Sequence, residues 1–359
     1  MARQNGPVLG ADVVVVGAGV IGACVAYFAS RAGAQVVVVD TSLPASGVTG
    51  TAFAWISGPK AGSAVTAATP LREAALEEFY RLERDVPGVR VRWHGAVSWD
   101  QDTLENAERS LGPGQHFITE AQVRRLEPNL RLPPERAVFS PADGTVDPAA
   151  MTQALLSAAR GFGAQVRTGV TVAGLSIDGG IVTGVDTNAG VIRAATVVLA
   201  TGTGTTALCE PLGVHLPVAA SPAVLTRMSA PTGLVRTLIS SPDIEARQTP
   251  GGMVLVATDY AGEVTAEDLA ATAADNAQRL AATFVGGEQA QLLDVRVGQR
   301  PIPTDGTPVV GPLPGHRNVY IAVAHPGIIL APIIGRLAAD EIVHRRSAGQ
   351  LEAFRPGRF

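Results

Sequence analysis

Apolar residues fall along this chain in two rhythms. Residues 12–16 (DVVVV) and 36–40 (VVVVD) are short and almost uninterrupted apolar runs. They are too short for independent helices and too uniform for a half-exposed strand. They predict parallel strands buried on both faces. Between them, VIGACVAYFASRAG predicts a helix closed by Gly33, which completes a β-α-β unit. Leu71, Ala75, Leu76, Phe79 and Leu82 then recur at helical spacing and predict an amphipathic helix over 71–84. Thr119 and Gln122 give a capping-box signal for a short helix ending near Leu126. Asp147 with Pro148 behind it starts another, running to Arg160.

Strands are predicted over 164–168, 170–177, 181–187 and 191–200, the last returning to buried parallel geometry. More strand-like runs fill 214–258, a helix 265–283, a buried strand 318–324 and a helix 327–344 with Pro332 in its first turns. Nucleotide-type β-α-β patterns therefore stand at both ends, with antiparallel-looking strands inserted between them. The stretch 41–64 is rich in Ser, Gly, Thr and Ala and shows no periodicity. A loop that long inside a compact chain is expected to be functional.

Composition narrows the classes. A length of 359 residues suits about two domains. A net charge of −4 implies neither a nucleic-acid nor a polybasic membrane surface. Residues 13–29 are the one stretch apolar enough to imitate a span, but glycines interrupt it and Arg31 follows, so a buried strand and helix are expected. Cys24 and Cys209 make no disulfide framework and no Cys/His cluster has metal spacing, so a cytoplasmic protein without a metal is expected. Lys60 is the only lysine.

The first motif with chemistry is Gly17-Ala18-Gly19-Val20-Ile21-Gly22, placed after a strand and opening a helix. Gly17 permits the tight turn, Gly19 lets a pyrophosphate approach the backbone, and Gly22 lets helix and strand pack closely. Asp40 ends the second strand, where an acid accepts hydrogen bonds from ribose hydroxyls. These residues predict a dinucleotide site and leave flavin and nicotinamide both open.

Six further segments occur in order: SGVTGTAFAW (46–55), VRRLEP (123–128), FSPADGTVDP (139–148), VVLATG (197–202), GQRPIPTDG (298–306) and HPGIILAP (325–332). As a set, over nearly the whole chain, they resemble the FAD-dependent D-amino-acid oxidase superfamily, with glycine and sarcosine oxidases as the nearest named relatives. The resemblance implies an α/β fold: a Rossmann-like FAD-binding domain (1–85, 145–213 and 296–359) with an inserted antiparallel-sheet substrate domain (86–144 and 214–295). It implies oxidation of a C–N bond in a small amine or amino acid by hydride transfer to flavin N5, hydrolysis of the imine, and reoxidation by oxygen with peroxide release. A dehydrogenase passing electrons to a quinone or partner protein is the alternative, as is a flavin-carrying subunit of a complex.

The cofactor contacts implied by the resemblance begin with Gly17, Gly19, Val20, Ile21 and Gly22 at the pyrophosphate and Asp40 and Thr41 at the ribose. Thr49, Gly50, Thr51, Ala52, Ala54 and Trp55 would run along the flavin, and Val172 would meet the adenine. Ala200, Thr201 and Gly202 would close the pocket. Gly298, Arg300, Pro326, Gly327, Ile328, Ile329 and Leu330 would approach the flavin, the last four as a helix N-terminus whose N–H groups offset negative charge.

Departures from the family pattern sharpen the expectations. No cysteine precedes the TPD-like segment, so FAD is expected to be non-covalent. The lysine of sarcosine-oxidase relatives is absent after GGMVLVATDYAGE, where Glu263 stands, so Lys60 or a different electron acceptor replaces it. The tyrosine of glycine-oxidase relatives is absent from DIEARQTPGG, which carries Glu245 and Arg247. Arg300 is expected to grip a substrate carboxylate with its planar fork, and His325 to contact flavin or substrate. Arg300, His325 and Lys60 are the catalytic candidates. The histidines at 94, 116, 215, 316 and 344 are scattered and form no constellation.

Overall fold

The structure is a computed structural model that describes residues 9–59 and 67–359. Lys60 lies outside the described residues. The strand Leu9–Val16 pairs in parallel with Val36–Asp40 on one side and with Gly190–Leu199 on the other. Gln165–Thr168 continues the sheet beyond Val36–Asp40, and His316–Val323 runs parallel to the end of Gly190–Leu199. The start of Gly190–Leu199 instead joins Ile181–Thr187 and Val172–Asp178 in an antiparallel extension. That strand is therefore parallel only in part.

Side chains alternate across a strand, so the valine runs must supply two cores. Val13, Val15, Val36, Val38 and Val198 enter one core with the helices Val20–Arg31, Ala68–Asp85, Pro148–Gly161 and Gly327–Val343. Val14, Val16, Val37, Val39, Val197 and Leu199 enter a second core on the opposite face. Gly33 takes φ +95° just past the first helix, a conformation open to glycine at no steric cost. Cys24 is buried on that helix, where a Cβ added to Gly335 would stand 2.5 Å from its own Cβ. Small residues at this crossing let the first and last long helices touch.

A second sheet runs in the order Gln291–Pro303, Val218–Ser229, Met253–Asp259, Glu245–Gln248, Leu238–Ser240, Ala96–Ser98, Arg136–Ser140, His116–Thr119. Its pairs are antiparallel except Leu238–Ser240 with Ala96–Ser98. Helix Ala266–Thr283 packs on it through Ala277 and Leu280, and Phe284 follows in the same core. Position 296 lies inside Gln291–Pro303, so a boundary drawn there cuts a continuous strand. The proline-rich 298–303 stretch is likewise strand, and Pro301 and Pro303 pair opposite Ala220 and Val218. Proline is tolerated because this strand is the sheet's edge. Three short strands, Trp55–Ile56, Gly144–Val146 and Val91–Arg92, make a third sheet between the two.

The capping signals hold. Thr119 and Gln122 form the box at Glu120–Leu126, and Asp147 accepts from the N–H groups of Ala149 and Ala150. Glu127 of the VRRLEP segment is fully buried, with its carboxylate accepting from the Thr237 hydroxyl and from the Arg236 and Thr237 backbone. Burial still raises its pKa. Its role is to anchor a loop of the second sheet.

Candidate active site

The carboxyl ends of the parallel strands open into a cleft of about 1220 Å³, walled on its far side by the second sheet. Ligands of open α/β sheets bind outside these strand ends. Val16, Asp40, Ala200 and Val323 mark the strand ends, and Val224, Glu245, Ala257 and Arg300 belong to the far wall.

The glycine turn is required by sterics. Gly17 has φ +107°, and a Cβ there would stand 2.5 Å from the Ala200 carbonyl oxygen. A Cβ on Gly22 would lie 2.0 Å from the Gly17 carbonyl oxygen, so this glycine serves helix–strand packing and lies outside the cleft lining. Gly19, Val20 and Ile21 do line it. The Val20 N–H donates to Thr49 Oγ1 at 3.1 Å. The N–H groups of Ile21 and Gly22 take no partner among the described residues, leaving a helix N-terminus with free donors and a positive dipole end.

Asp40 organises the turn as well as ending the strand. Its Oδ2 accepts from the Ala18 N–H at 2.7 Å and its Oδ1 from the Ser42 N–H at 2.8 Å. Each oxygen keeps a second lone pair for a ribose hydroxyl. Thr41 and Ser42 line the cleft beside it.

Most of the 41–59 segment wraps this cleft. Thr49, Thr51, Ala52, Ala54 and Trp55 line it. Gly50 does not, because its Cα turns toward the Ala45 carbonyl, where a Cβ would meet oxygen at 2.3 Å. Ala45 and Ala54 adopt φ of 62° and 60°, a left-handed conformation that costs a non-glycine residue about 1–3 kcal/mol and marks an over-determined loop. Two arginines of the second sheet hold that loop. Arg227 donates to the Gly50 carbonyl and pairs with Asp294. Arg247 donates to the Phe53 carbonyl and is almost fully buried, and burial pushes its pKa down to about 10. Trp55 Nε1 donates to Asp143 Oδ2 at 2.7 Å. A Cβ on Gly298 would approach Thr51 Oγ1 to 2.4 Å, so the edge strand lies directly on the loop.

On the opposite side, Val172, Ala200, Thr201 and Gly202 line the cleft. So do His325, Pro326, Gly327, Ile328 and Ile329. Leu330 is buried in the core instead, and its N–H reaches back to the Pro326 carbonyl at 3.4 Å. A second helix N-terminus thus meets the cleft.

Arg300 reaches the cleft from the edge strand, and its guanidinium folds toward the neighbouring strand. Nε donates to the Ser221 carbonyl at 3.2 Å, and one Nη to Ser221 Oγ at 3.0 Å and the Pro222 carbonyl at 3.2 Å. The other Nη takes no partner among the described residues. His325 has its pKa lowered by burial first, then by Arg300 and Arg72, so it is neutral at neutral pH. Arg247 falls in the segment that lacks the family tyrosine, and its side chain is spent on the loop. Arg72 was missed because it reads as the polar face of a helix.

Among the described residues no helix is long and apolar enough to cross a membrane. The profile of the family described as "FAD dependent oxidoreductase" matches residues 12–341. The chain is 26% identical over 366 residues to an uncharacterized oxidoreductase, YurR, of Bacillus subtilis (strain 168), covering 96% of this chain and 98% of that protein. It is 26% identical to the glycine oxidase of Geobacillus kaustophilus (strain HTA426), covering 96% of each. The crystal structure of glycine oxidase from Geobacillus kaustophilus superposes with a TM-score of 0.85 at 23% identity, covering 98% of this chain and 99% of that one. The cradle that sterics demand at Gly17 and Gly22 thus has its occupant: the chain belongs to the FAD dependent oxidoreductases, and FAD is its cofactor.

Proposed function

We propose that the chain oxidises the C–N bond of a small amine or amino acid that carries an acidic group. The observation that carries this reading is Arg300, delivered by the edge strand into the cleft beside His325 and across from the glycine cradle. FAD, when bound, supplies a two-electron hydride acceptor. The protein's part is to hold and orient the substrate and to keep water from the reacting carbon. Arg300 offers a fixed guanidinium to a carboxylate. A neutral His325 can accept the proton that the substrate ammonium must lose before hydride transfer. The N–H groups at Gly327 and Ile328 sit where a helix dipole stabilises negative charge. FAD is held non-covalently by segments 1–85, 145–213 and 296–359, and substrate by 86–144 and 214–295 together with Arg300, which the strand Gln291–Pro303 carries across the two. The glycine oxidase relative supports an amino-acid substrate. Buried, unpaired Cys24 and Cys209 suit a reducing cytoplasm.

The test is an anaerobic screen of amino acids, N-methyl amines and cyclic imino acids against the yellow protein. Bleaching of the flavin is expected for at least one class. Silence across all of them sinks the reading. With Lys60 as the chain's only lysine, transfer to a quinone or a partner protein instead of oxygen is the second reading. Slow recovery of colour in air with rapid recovery by an artificial acceptor selects it. Turnover by the purified chain alone rules out a purely structural flavin subunit.

A further inference from the structure

One cation on the cleft wall has no work in that scheme. Arg72 stands near the start of helix Ala68–Asp85, next to Leu71, which is buried in the main core. Its side chain is half-buried and lines the cleft in company with Ser57, Arg300 and His325. No carboxylate and no hydrogen-bond acceptor among the described residues meets its guanidinium. Three other part-buried arginines are paired with carboxylates, Arg336 with Glu78, Arg227 with Asp294, and Arg355 with Glu341, while Arg92 and Arg300 donate to backbone carbonyls.

A guanidinium withdrawn from water without a partner costs free energy that a bound anion recovers. Burial lowers the pKa of Arg72, and its charge reaches His325, as does that of Arg300. The cleft therefore presents two guanidinium groups to one small volume. Among the described charged residues that line the cleft, Arg72 and Arg300 are set against Glu245, while Asp40 is committed to the glycine turn. That balance matches a ligand carrying more acid than amine.

We propose that Arg72 is a second anion-binding group and that the substrate is an amine bearing two acidic groups, one held at Arg300 and the other at Arg72. The proposal rests on the amine-oxidising reading and adds a substrate class to it. Arg300 is pinned by Ser221 and Pro222 and fixes the orientation of the first acid. Arg72 is unpinned and adapts to the second. The absence of a tyrosine from DIEARQTPGG fits a ligand fixed by a second cation.

The test titrates the FAD-loaded protein with acetate and with diglycolate, a dicarboxylate whose central ether oxygen replaces the amine. Binding is read by calorimetry and by the shift of the visible flavin bands. Wild type is expected to bind diglycolate at least about tenfold more tightly than acetate, the value of one charge-assisted contact. Arg72→Gln is expected to abolish that preference with acetate affinity held within about twofold, and Arg72→Lys to retain part of it. Arg300→Lys weakens both ligands. Equal affinities in wild type, or a preference that survives Arg72→Gln, overturns the proposal, and the wild-type comparison stands even if a variant fails to fold. Amine bleaching without a diacid preference removes the second subsite and keeps the amine reading. A diacid preference without bleaching by any amine does the reverse.

Discussion

The two walls of the cleft are built from different materials. The cofactor wall is backbone: a glycine turn, two helix N-termini and a loop whose carbonyls are held from behind. The facing wall is side chains: Arg300, Glu245 and Ala257 arrive from three strands of the second sheet, and Arg72 joins them from helix Ala68–Asp85. Backbone recognises what every family member binds, because its geometry allows few residue types. Side chains vary freely on a fixed sheet, so this wall carries what is particular to the chain. The contrast teaches that the cofactor reading is robust to sequence drift and the substrate reading is not.

Changes on the two walls should therefore have different signatures. The largest effect is expected for Gly17→Ala on the backbone wall. A left-handed alanine whose Cβ meets the Ala200 oxygen costs about 3 kcal/mol. The purified variant should carry little flavin, and a full complement of yellow cofactor per chain breaks the contrast.

Acid should act behind the facing wall. His94 Nε2 lies 3.1 Å from Thr145 Oγ1, and its buried Nδ1 has no partner among the described residues. Burial first, then Arg92 and Arg247, lowers its pKa from 6.5 to about 4. The unfolded chain therefore binds more protons between those values, so stability falls as pH drops through that window, by about 3 kcal/mol in all. Melting curves from neutral to acid pH measure it. His94→Gln should flatten the drop, and an unchanged slope assigns it elsewhere.

Arg247→Met tests the seam between the walls. It leaves the Phe53 carbonyl without its donor, at a cost of about 2 kcal/mol. FAD should bind more weakly, measured by flavin release during dialysis, and unaltered retention would free the loop from the sheet. Arg300→Lys is the smallest change. Substrate binding should weaken about tenfold with FAD retained, because an ammonium loses the Ser221 and Pro222 contacts that hold the free Nη in place. Loss of flavin and fold together would make Arg300 structural.

The same contrast governs what could be read from the sequence. The β-α-β unit was legible because strands buried on both faces must be uniformly apolar, and because Gly17 and Gly22 have no substitutes. The helix Gln101–Arg109 went unread, since Ala107 is its one buried residue. Val91–Arg92 and Ala96–Ser98 are too short to show a period. Arg300 was found through the family resemblance around it. Arg72 was not, because an arginine beside Leu71 on an amphipathic helix looks like a solvated face until the cleft is seen. Arg247 drew notice for its place in the chain, but only the fold shows that it points at the loop. Gly50 and Leu330 sit within motifs that face the cleft while they themselves turn away.

The prolines of the edge strand have one more consequence. Gln291–Pro303 has a strand partner on one side only. An open margin of this kind invites another chain to continue the sheet, which is how many β-proteins aggregate. Pro301 and Pro303 have no N–H to offer such a visitor. The end of the margin at the mouth of the cleft thus offers a neighbouring strand no donor at either proline, so the residues that flank Arg300 also deny this end of the edge to strand pairing.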